Sequence, residues 1–280
     1  MKLRKVTAAS AAVLALALTA TACGGDDSGD SNSSGSGDGK KITIGIKFDQ
    51  PGLGQKTPQG YEGFDVDVAA YVAKKLGYSE EQIEWKESKS ADRETMLQRG
   101  DVDFIAATYS ITPERQEKVD FAGPYLLAHQ DVLLRADDNK IKSPEDLNNA
   151  KLCSVTGSTS AQNVKEKLAP KAQLQNYPTY SACLTGLQNG AIDALTTDDS
   201  ILAGYASQSQ FKDKFKLGGF KLTNENYGIG VKKGSDLKTK INDALEAMVA
   251  DGAWDKAVKD NFGPANYKNE PAPKIGDIKS

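Results

Sequence analysis

The chain has 280 residues, with 35 Lys and Arg against 38 Asp and Glu and a formal net charge of −3. This acidic balance gives no support to nucleic-acid binding, which needs a basic face. A single histidine, His129, three cysteines and no Cys-x-x-Cys argue against a zinc site, and no metal or other cofactor is expected.

At the amino end Lys2, Arg4 and Lys5 precede an apolar run from Ala8 to about Leu18 and then Thr19-Ala20-Thr21-Ala22-Cys23. The pattern is that of a secretory signal, residues 1–22, and its apolar run is too short to span a bilayer as a stable helix. Removing it leaves 258 residues and moves the net charge from −3 to −6. A cysteine directly after small residues resembles a lipobox, which implies lipidation of Cys23, palmitate included, and attachment to a membrane. Ala20 stands where leucine is commoner, and ordinary cleavage with a free Cys23 is the alternative. Gly24 to Gly39 is almost wholly Gly, Ser, Asp and Asn, so residues 23–40 read as lipidated cysteine and flexible tether, the 16 residues spanning about 20–24 Å.

Lys41 to Lys47 alternates around Ile42, Ile44 and Ile46 and predicts a strand. A Gly/Pro-rich loop follows. Gly63 to Gly77 predicts a helix with acids in its first turn, lysines in its last and glycine just beyond. Ile83 to Trp85 predicts a short strand, and Arg93 to Gln98 part of a helix closed by Gly100. A second series begins near Lys151: strand Leu152 to Val155, turn Gly157-Ser158-Thr159-Ser160, helix Ala161 to Leu168, strand Ala172 to Tyr177, helix Ala182 to Gln188. After an apolar run around Tyr227 come helices from about Leu237 to Asp251 and Trp254 to Asn261.

The two series match internally. Leu97-Gln98-Arg99-Gly100-Asp101-Val102-Asp103 resembles Leu187-Gln188-Asn189-Gly190-Ala191-Ile192-Asp193, 90 residues on. The same offset pairs Thr108 with Asp198, each at the end of a strand, where open α/β sheets bind ligands. The expected fold is α/β in two similar lobes, each a mostly parallel sheet flanked by helices. The terminal helices are too small for a third lobe and are expected to return to the first. Two crossings then join the lobes, near His129 to Asp131 and near Asn224 to Tyr227, and permit hinge closure. The boundaries read as lobe 1 over 41–129 and 227–265, lobe 2 over 130–226, and an irregular tail over 266–280. With Cys23 assigned to lipid, Cys153 and Cys183 remain as a candidate disulfide closing about 30 residues, worth about 3–4 kcal/mol. Two buried thiols are the alternative.

Arg115 is out of place. Thr112 suits a helix N-cap and Pro113 the first helical position, so Arg115 falls at N3, facing the positive end of the helix dipole at a cost of about 0.3–1 kcal/mol. Either it pairs at the surface with Glu114 or Asp120, or it awaits a bound carboxylate or phosphate.

Five motifs, in this order and spacing, resemble the family 3 extracellular solute-binding proteins, which deliver polar amino acids to ABC transporters. They are Gly63-Phe64-Asp65-Val66-Asp67-Val68-Ala69; Ser110-Ile111-Thr112-Pro113-Glu114-Arg115 with Phe121 and Pro124-Tyr125; Gly157-Ser158-Thr159; Asp193-Ala194 with Asp198; and Tyr227-Gly228-Ile229. The resemblance implies a periplasmic-binding-protein-like fold with Arg115 on a ligand α-carboxylate, Thr108 and Ser110 around the α-carboxylate and α-ammonium, Thr159 on the carboxylate and Asp198 on the ammonium. The glutamate/aspartate-binding members place cationic and hydroxyl groups where this chain has Lys47, Ser90 and Arg93, which implies L-glutamate, with aspartate and glutamine behind it. Tyr180 falls at a side-chain contact of that group, although the residue type differs, and Phe48 is a candidate cover for the ligand's aliphatic part. The implied role is a monomeric, lipid-anchored receptor on the outer face of the cell membrane that serves an ABC permease and ATPase. An enzyme on this fold, such as a dehydratase, is the rival, but His129 lacks a nucleophile partner and no Gly-x-Ser-x-Gly or phosphate-cradling loop occurs. A sensor using the same site is a third reading.

Overall fold

The computed structural model describes residues 39–279, so the signal segment, Cys23 and nearly all of the tether lie outside the described residues. Strand β1 (Ile42–Ile46) leads through β2 (Asp49–Gln50), β3 (Gly54–Thr57) and β4 (Gly60–Glu62) to helix α1 (Phe64–Lys75), then β5 (Ile83–Glu87), α2 (Arg93–Arg99), β6 (Phe104–Ile105) and α3 (Pro113–Gln116). The stretch read as a Gly/Pro-rich loop is a small antiparallel meander, β2–β3–β4. Its strands are two to four residues long, too short to show an alternating pattern.

The long strand β7 (Val119–Arg135) follows, then β8 (Lys151–Val155), α4 (Thr159–Asn163), β9 (Gln173–Tyr177), α5 (Tyr180–Gln188), β10 (Ala194–Asp198), α6 (Asp199–Ala206) and β11 (Phe215–Leu217). Strand β12 (Asn224–Lys232) and helices α7 (Leu237–Ala250) and α8 (Ala253–Phe262) complete the order. The main sheet runs β5-β1-β6-β12-β7-β10-β8-β9, with β11 also on β7.

The repeat seen in the sequence is a repeat of topology. In the first half β1 lies between β5 and β6, parallel to both. In the second half β8 lies between β9 and β10, again parallel to both. Gly100 and Gly190 end equivalent helices with φ of 75° and 78°, a left-handed geometry that favours glycine. Asp103 then donates its N–H to the Thr43 carbonyl at 2.8 Å and accepts the Thr43 N–H on its carboxylate at 2.7 Å. Asp193 does the same with Lys151, both at 2.8 Å.

The apolar face of α1, including Phe64, Val68 and Val72, is fully buried in a core with Ile44 and Ile46 of β1. Each such side chain contributes roughly 1.5–3 kcal/mol by leaving water. Helices α7 and α8 pack on this half: the Trp254 ring lies edge-on to Phe64 at 6.0 Å and its N–H donates to the Tyr125 carbonyl at 2.8 Å. In the second half a Cys153–Cys183 disulfide ties α5 to β8, with the two Cα atoms 5.7 Å apart.

Both crossings fall within regular strands. Strand β7 pairs with β12 from Val119↔Lys232 to His129↔Asn224, and from Gln130 onward it pairs with β10. The connection between halves is therefore an antiparallel ribbon, stiffer than two separate loops.

Candidate functional site

Arg115 sits at N3 of α3, as its sequence position requires. Thr112 accepts the Arg115 N–H on its hydroxyl and Pro113 opens the helix. Neither sequence-adjacent acid is its partner. The guanidinium donates to the Ser110 carbonyl at 2.8 Å and, across the cleft, to the Gly157 carbonyl at 3.0 Å, while Nε lies 3.5 Å from Glu94. Three of its five N–H groups are thus directed at protein acceptors, and two have none among the described residues.

Beside it, Arg93 opens α2 and is only 2% exposed. It donates to the carbonyls of Ser90, Ala107 and Thr108. Tyr109 carries both arginines on its ring, Arg93 at 4.1 Å and Arg115 at 5.1 Å, a cation–π arrangement that tolerates two adjacent cations. Lys47, 5% exposed, donates to the Ser90 hydroxyl at 2.9 Å. Among the described residues neither Lys47 nor Arg93 has a carboxylate within ion-pair distance. Lys47, Ser90, Arg93, Thr108, Ser110 and Arg115 are all buried in the first half of the sheet, at and beyond the ends of β1 and β6.

Thr108 has φ of 46°, a left-handed conformation that is costly for a β-branched residue. Asp65 holds it there, accepting the Thr108 N–H at 2.8 Å on one oxygen and the Tyr125 hydroxyl at 2.7 Å on the other. The sequence shows Asp65 only as a first-turn helix acid. What sets it apart is complete burial, which raises its pKa to about 6 against the pull of those two hydrogen bonds.

From the second half come Thr159, Tyr180 and Asp198. Plain capping explains neither Thr159 nor Asp198. The cap of α4 is Ser158, which accepts the Ala161 N–H, whereas the Thr159 hydroxyl donates to Glu225 at 2.9 Å. Asp198 begins α6 without a side-chain capping bond. Its carboxylate instead accepts the hydroxyls of Ser160 and Tyr227, the latter at 2.5 Å. Burial, with the Glu225 carboxylate near it, pushes Asp198 well above the usual carboxylate range. Tyr180 is buried at the start of α5, where desolvation and the Asp198 charge raise its hydroxyl to about 12. The Phe48 ring packs on Tyr61 at 5.1 Å with Lys56 over it.

Residues of both halves, Arg115 and Thr159 among them, line one groove. The family described as bacterial extracellular solute-binding proteins, family 3, matches residues 42–264. The chain belongs to that family. It is 50% identical over 232 residues to the glutamate-binding protein GluB of Corynebacterium efficiens, covering 79% of each chain. It is 43% identical over 223 residues to the ABC transporter glutamine-binding protein GlnH of Bacillus subtilis, covering 78% of this chain and 80% of that one. Among solved structures, an ancestral arginine-binding protein bound to arginine superposes with a TM-score of 0.74 at 36% identity, over 80% of this chain and 98% of that one. The chain is a solute-binding protein, not an enzyme.

The solute-binding halves touch in this structure. Asp49 of β2 accepts the backbone N–H and hydroxyl of Ser181 in α5, and its carbonyl accepts the Tyr205 hydroxyl of α6 at 2.5 Å. The backbones approach closely at Gly204, where an added Cβ would lie 2.0 Å from the Pro51 carbonyl oxygen. A groove of about 480 Å³ opens beside Ser90, Glu94, Arg115 and Thr159. Behind it, burial and then the charge of Arg93 hold the Lys47 ammonium well below the usual lysine range. Burial and Arg93 likewise lower Arg115 to about 10, which leaves it charged at neutral pH. Cations thus gather in the first half, and carboxylates with hydroxyl partners but no cation partner among the described residues gather where the second half meets β12.

Proposed function

We propose that this chain is the substrate-binding lipoprotein of an ABC importer and that it captures L-glutamate by closing its two halves around the ligand. Arg115 takes the α-carboxylate through its two remaining N–H groups, with Thr108, Ser110 and Thr159 around it. Asp198 takes the α-ammonium. Lys47, Ser90 and Arg93 receive the side-chain carboxylate, and Tyr180 lies against the ligand from the second half. The lobes correspond to 41–129 with 227–265 and to 130–226, and Cys23 carries the lipid that holds a monomer at the outer face of the membrane.

One observation carries the preference for an acidic ligand. Lys47 and Arg93 are 5% and 2% exposed, yet neither has a carboxylate partner among the described residues. Buried cations are expensive unless paired, and a distal carboxylate supplies the missing pair. The identity with the glutamate-binding protein GluB supports the same reading. Differential affinity then shifts an open population toward the closed one, the form a permease recognises.

Calorimetric titration of the protein with the common L-amino acids, after unfolding and refolding to strip carried-over ligand, tests this. Glutamate should bind most tightly, and arginine not at all. Tight arginine binding would overturn the acidic assignment, and absence of any amino-acid binding would overturn the transport reading.

A further inference from the structure

The carboxyl-terminal segment does not hang free. After α8 the Tyr267 ring packs edge-on to Phe262 at 5.3 Å, and its hydroxyl reaches the second half, donating to Asp199 of α6 at 2.8 Å. That same Asp199 oxygen accepts the His129 N–H of β7 at 3.0 Å. Glu270 then lies 3.2 Å from both the His129 ring nitrogen and the Lys221 ammonium, the latter in the segment between β11 and β12.

From there the segment recrosses. Gly276 donates its N–H to the Gly123 carbonyl at 3.0 Å, on the first-half portion of β7. Lys279 closes a reciprocal pair with Asn226 of β12, giving its N–H at 3.0 Å and receiving the Asn226 amide on its carbonyl at 2.8 Å. Asn226 is 3% exposed, so the tail satisfies a buried amide on one of the two strands that join the halves. The path is first half, second half, hinge ribbon, first half. Beside the two crossings made by β7 and β12, this is a third, made without covalent continuity through the sheet. The family match stops at residue 264, so nearly all of it lies outside the segment shared with the family.

We propose that residues 265–279 form a strap across the hinge that stabilises the closed arrangement. Its bonds to Asp199 and Lys221 of the second half, to Gly123 of the first and to Asn226 on the joining ribbon are made while the halves touch at Asp49, Ser181 and Tyr205. Opening rotates Asp199 and Lys221 away from α8 and breaks the far-side bonds. Because Asp199 adjoins Asp198, the strap also holds the ligand-facing start of α6. The inference rests on the cleft being one that opens and closes, not on which amino acid fills it.

The test is made on the full chain without ligand. Dyes are attached through non-cysteine handles at exposed Glu84 and Gln173, on the edge strands β5 and β9 of the two halves. Single-molecule energy transfer should show the Tyr267→Phe/Glu270→Gln double variant with a longer mean separation and a closed-to-open ratio about tenfold lower, the effect of losing two modest polar contacts. An unchanged or shorter separation overturns the proposal. A second variant ending at Ala265 should open further while keeping its circular dichroism. If that truncation unfolds, the double variant decides alone. Since no ligand is present, failure of the glutamate assignment leaves this outcome intact.

Discussion

Replacing Arg115 separates the ligand-carboxylate reading from a structural one, because the two effects differ in size. With Ser110 and Gly157 as fixed acceptors and Glu94 beside Nε, Arg115→Ala removes the two N–H groups left for a ligand. Charge-assisted hydrogen bonds contribute about 1.5–3 kcal/mol each, so the loss is about 3–6 kcal/mol, or roughly 10²–10⁴-fold in Kd. Arg115→Lys keeps the charge on a single nitrogen and loses the fork, which should weaken binding by about 10- to 150-fold.

The ligand-free protein should respond differently. Alanine removes a desolvated cation from the dipole-disfavoured end of α3, a gain of about 0.3–1 kcal/mol that offsets part of the cost of orphaning the Ser110 carbonyl. Isothermal titration with glutamate, paired with denaturant unfolding without ligand, reads both quantities. Stability within about 2 kcal/mol of wild type beside a hundredfold loss of affinity is the expected result. A change in Kd below about threefold for both variants would refute the carboxylate role.

Four other outcomes follow from the same geometry. Gly204→Ala suits an isolated helix better than glycine, yet its Cβ would stand 2.0 Å from the Pro51 oxygen, so glutamate affinity should fall at least about tenfold while the melting temperature holds or rises. Lys47→Met removes a buried ammonium facing the proposed distal carboxylate, and the ratio of glutamate to glutamine affinity should fall by about tenfold in competitive titrations. Replacing Cys153 and Cys183 together by serine opens a 30-residue loop and should cost about 3–4 kcal/mol in denaturant unfolding, with the midpoint shifted and glutamate still bound. Asp65, raised from 3.8 to about 6 in the folded chain, takes up a proton on folding in the window between those values, so it contributes a gain in stability as pH falls. From pH 7 to pH 5 that gain is about 1.4 kcal/mol, and in Asp65→Asn, which keeps an acceptor for the Thr108 N–H, unfolding titrations should show it missing.

What could be read from the sequence were features written in adjacent residues. Thr112-Pro113-Glu114-Arg115 encodes cap, first turn and misplaced cation within four positions, and the structure reproduces each. The repeat was legible because its two glycines and two aspartates do the same local work in each half, ending a helix and pinning the next strand. Those features make the 90-residue offset a statement about topology.

The features that escaped are long-range in origin. Strand β7 shows no alternation because nearly all its residues are buried, down to Gln130 and Asp131, whose polar groups are satisfied by residues 30 to 93 positions away. Asp65 looks like any first-turn acid until the fold brings Thr108 and Tyr125 to it from 43 and 60 residues on. Glu225 is one more acid in a polar stretch until the fold brings Thr159 and Asn163 to it from 66 and 62 residues earlier. The tail, rich in Pro, Lys and Asn, carries no periodicity, and its partners Asn226, Gly123 and Asp199 were invisible from composition.

That division has a physical meaning for the site. The groups proposed to touch the ligand sit at strand ends and helix starts, where local chemistry betrays a cation or acid in an awkward place. The groups that hold them, Asp65 for Thr108 and Tyr227 for Asp198, are buried partners chosen by the tertiary fold. Among the described residues Lys47 and Arg93 have no carboxylate partner, whereas Asp198 already has two hydroxyls and Thr159 already has Glu225. The two halves are therefore unequally prepared: the first exposes unmet charge to the cleft, and the second must exchange internal hydrogen bonds for ligand ones. On the proposed assignment the carboxylates engage the first half before the second closes, because the first half has most to gain.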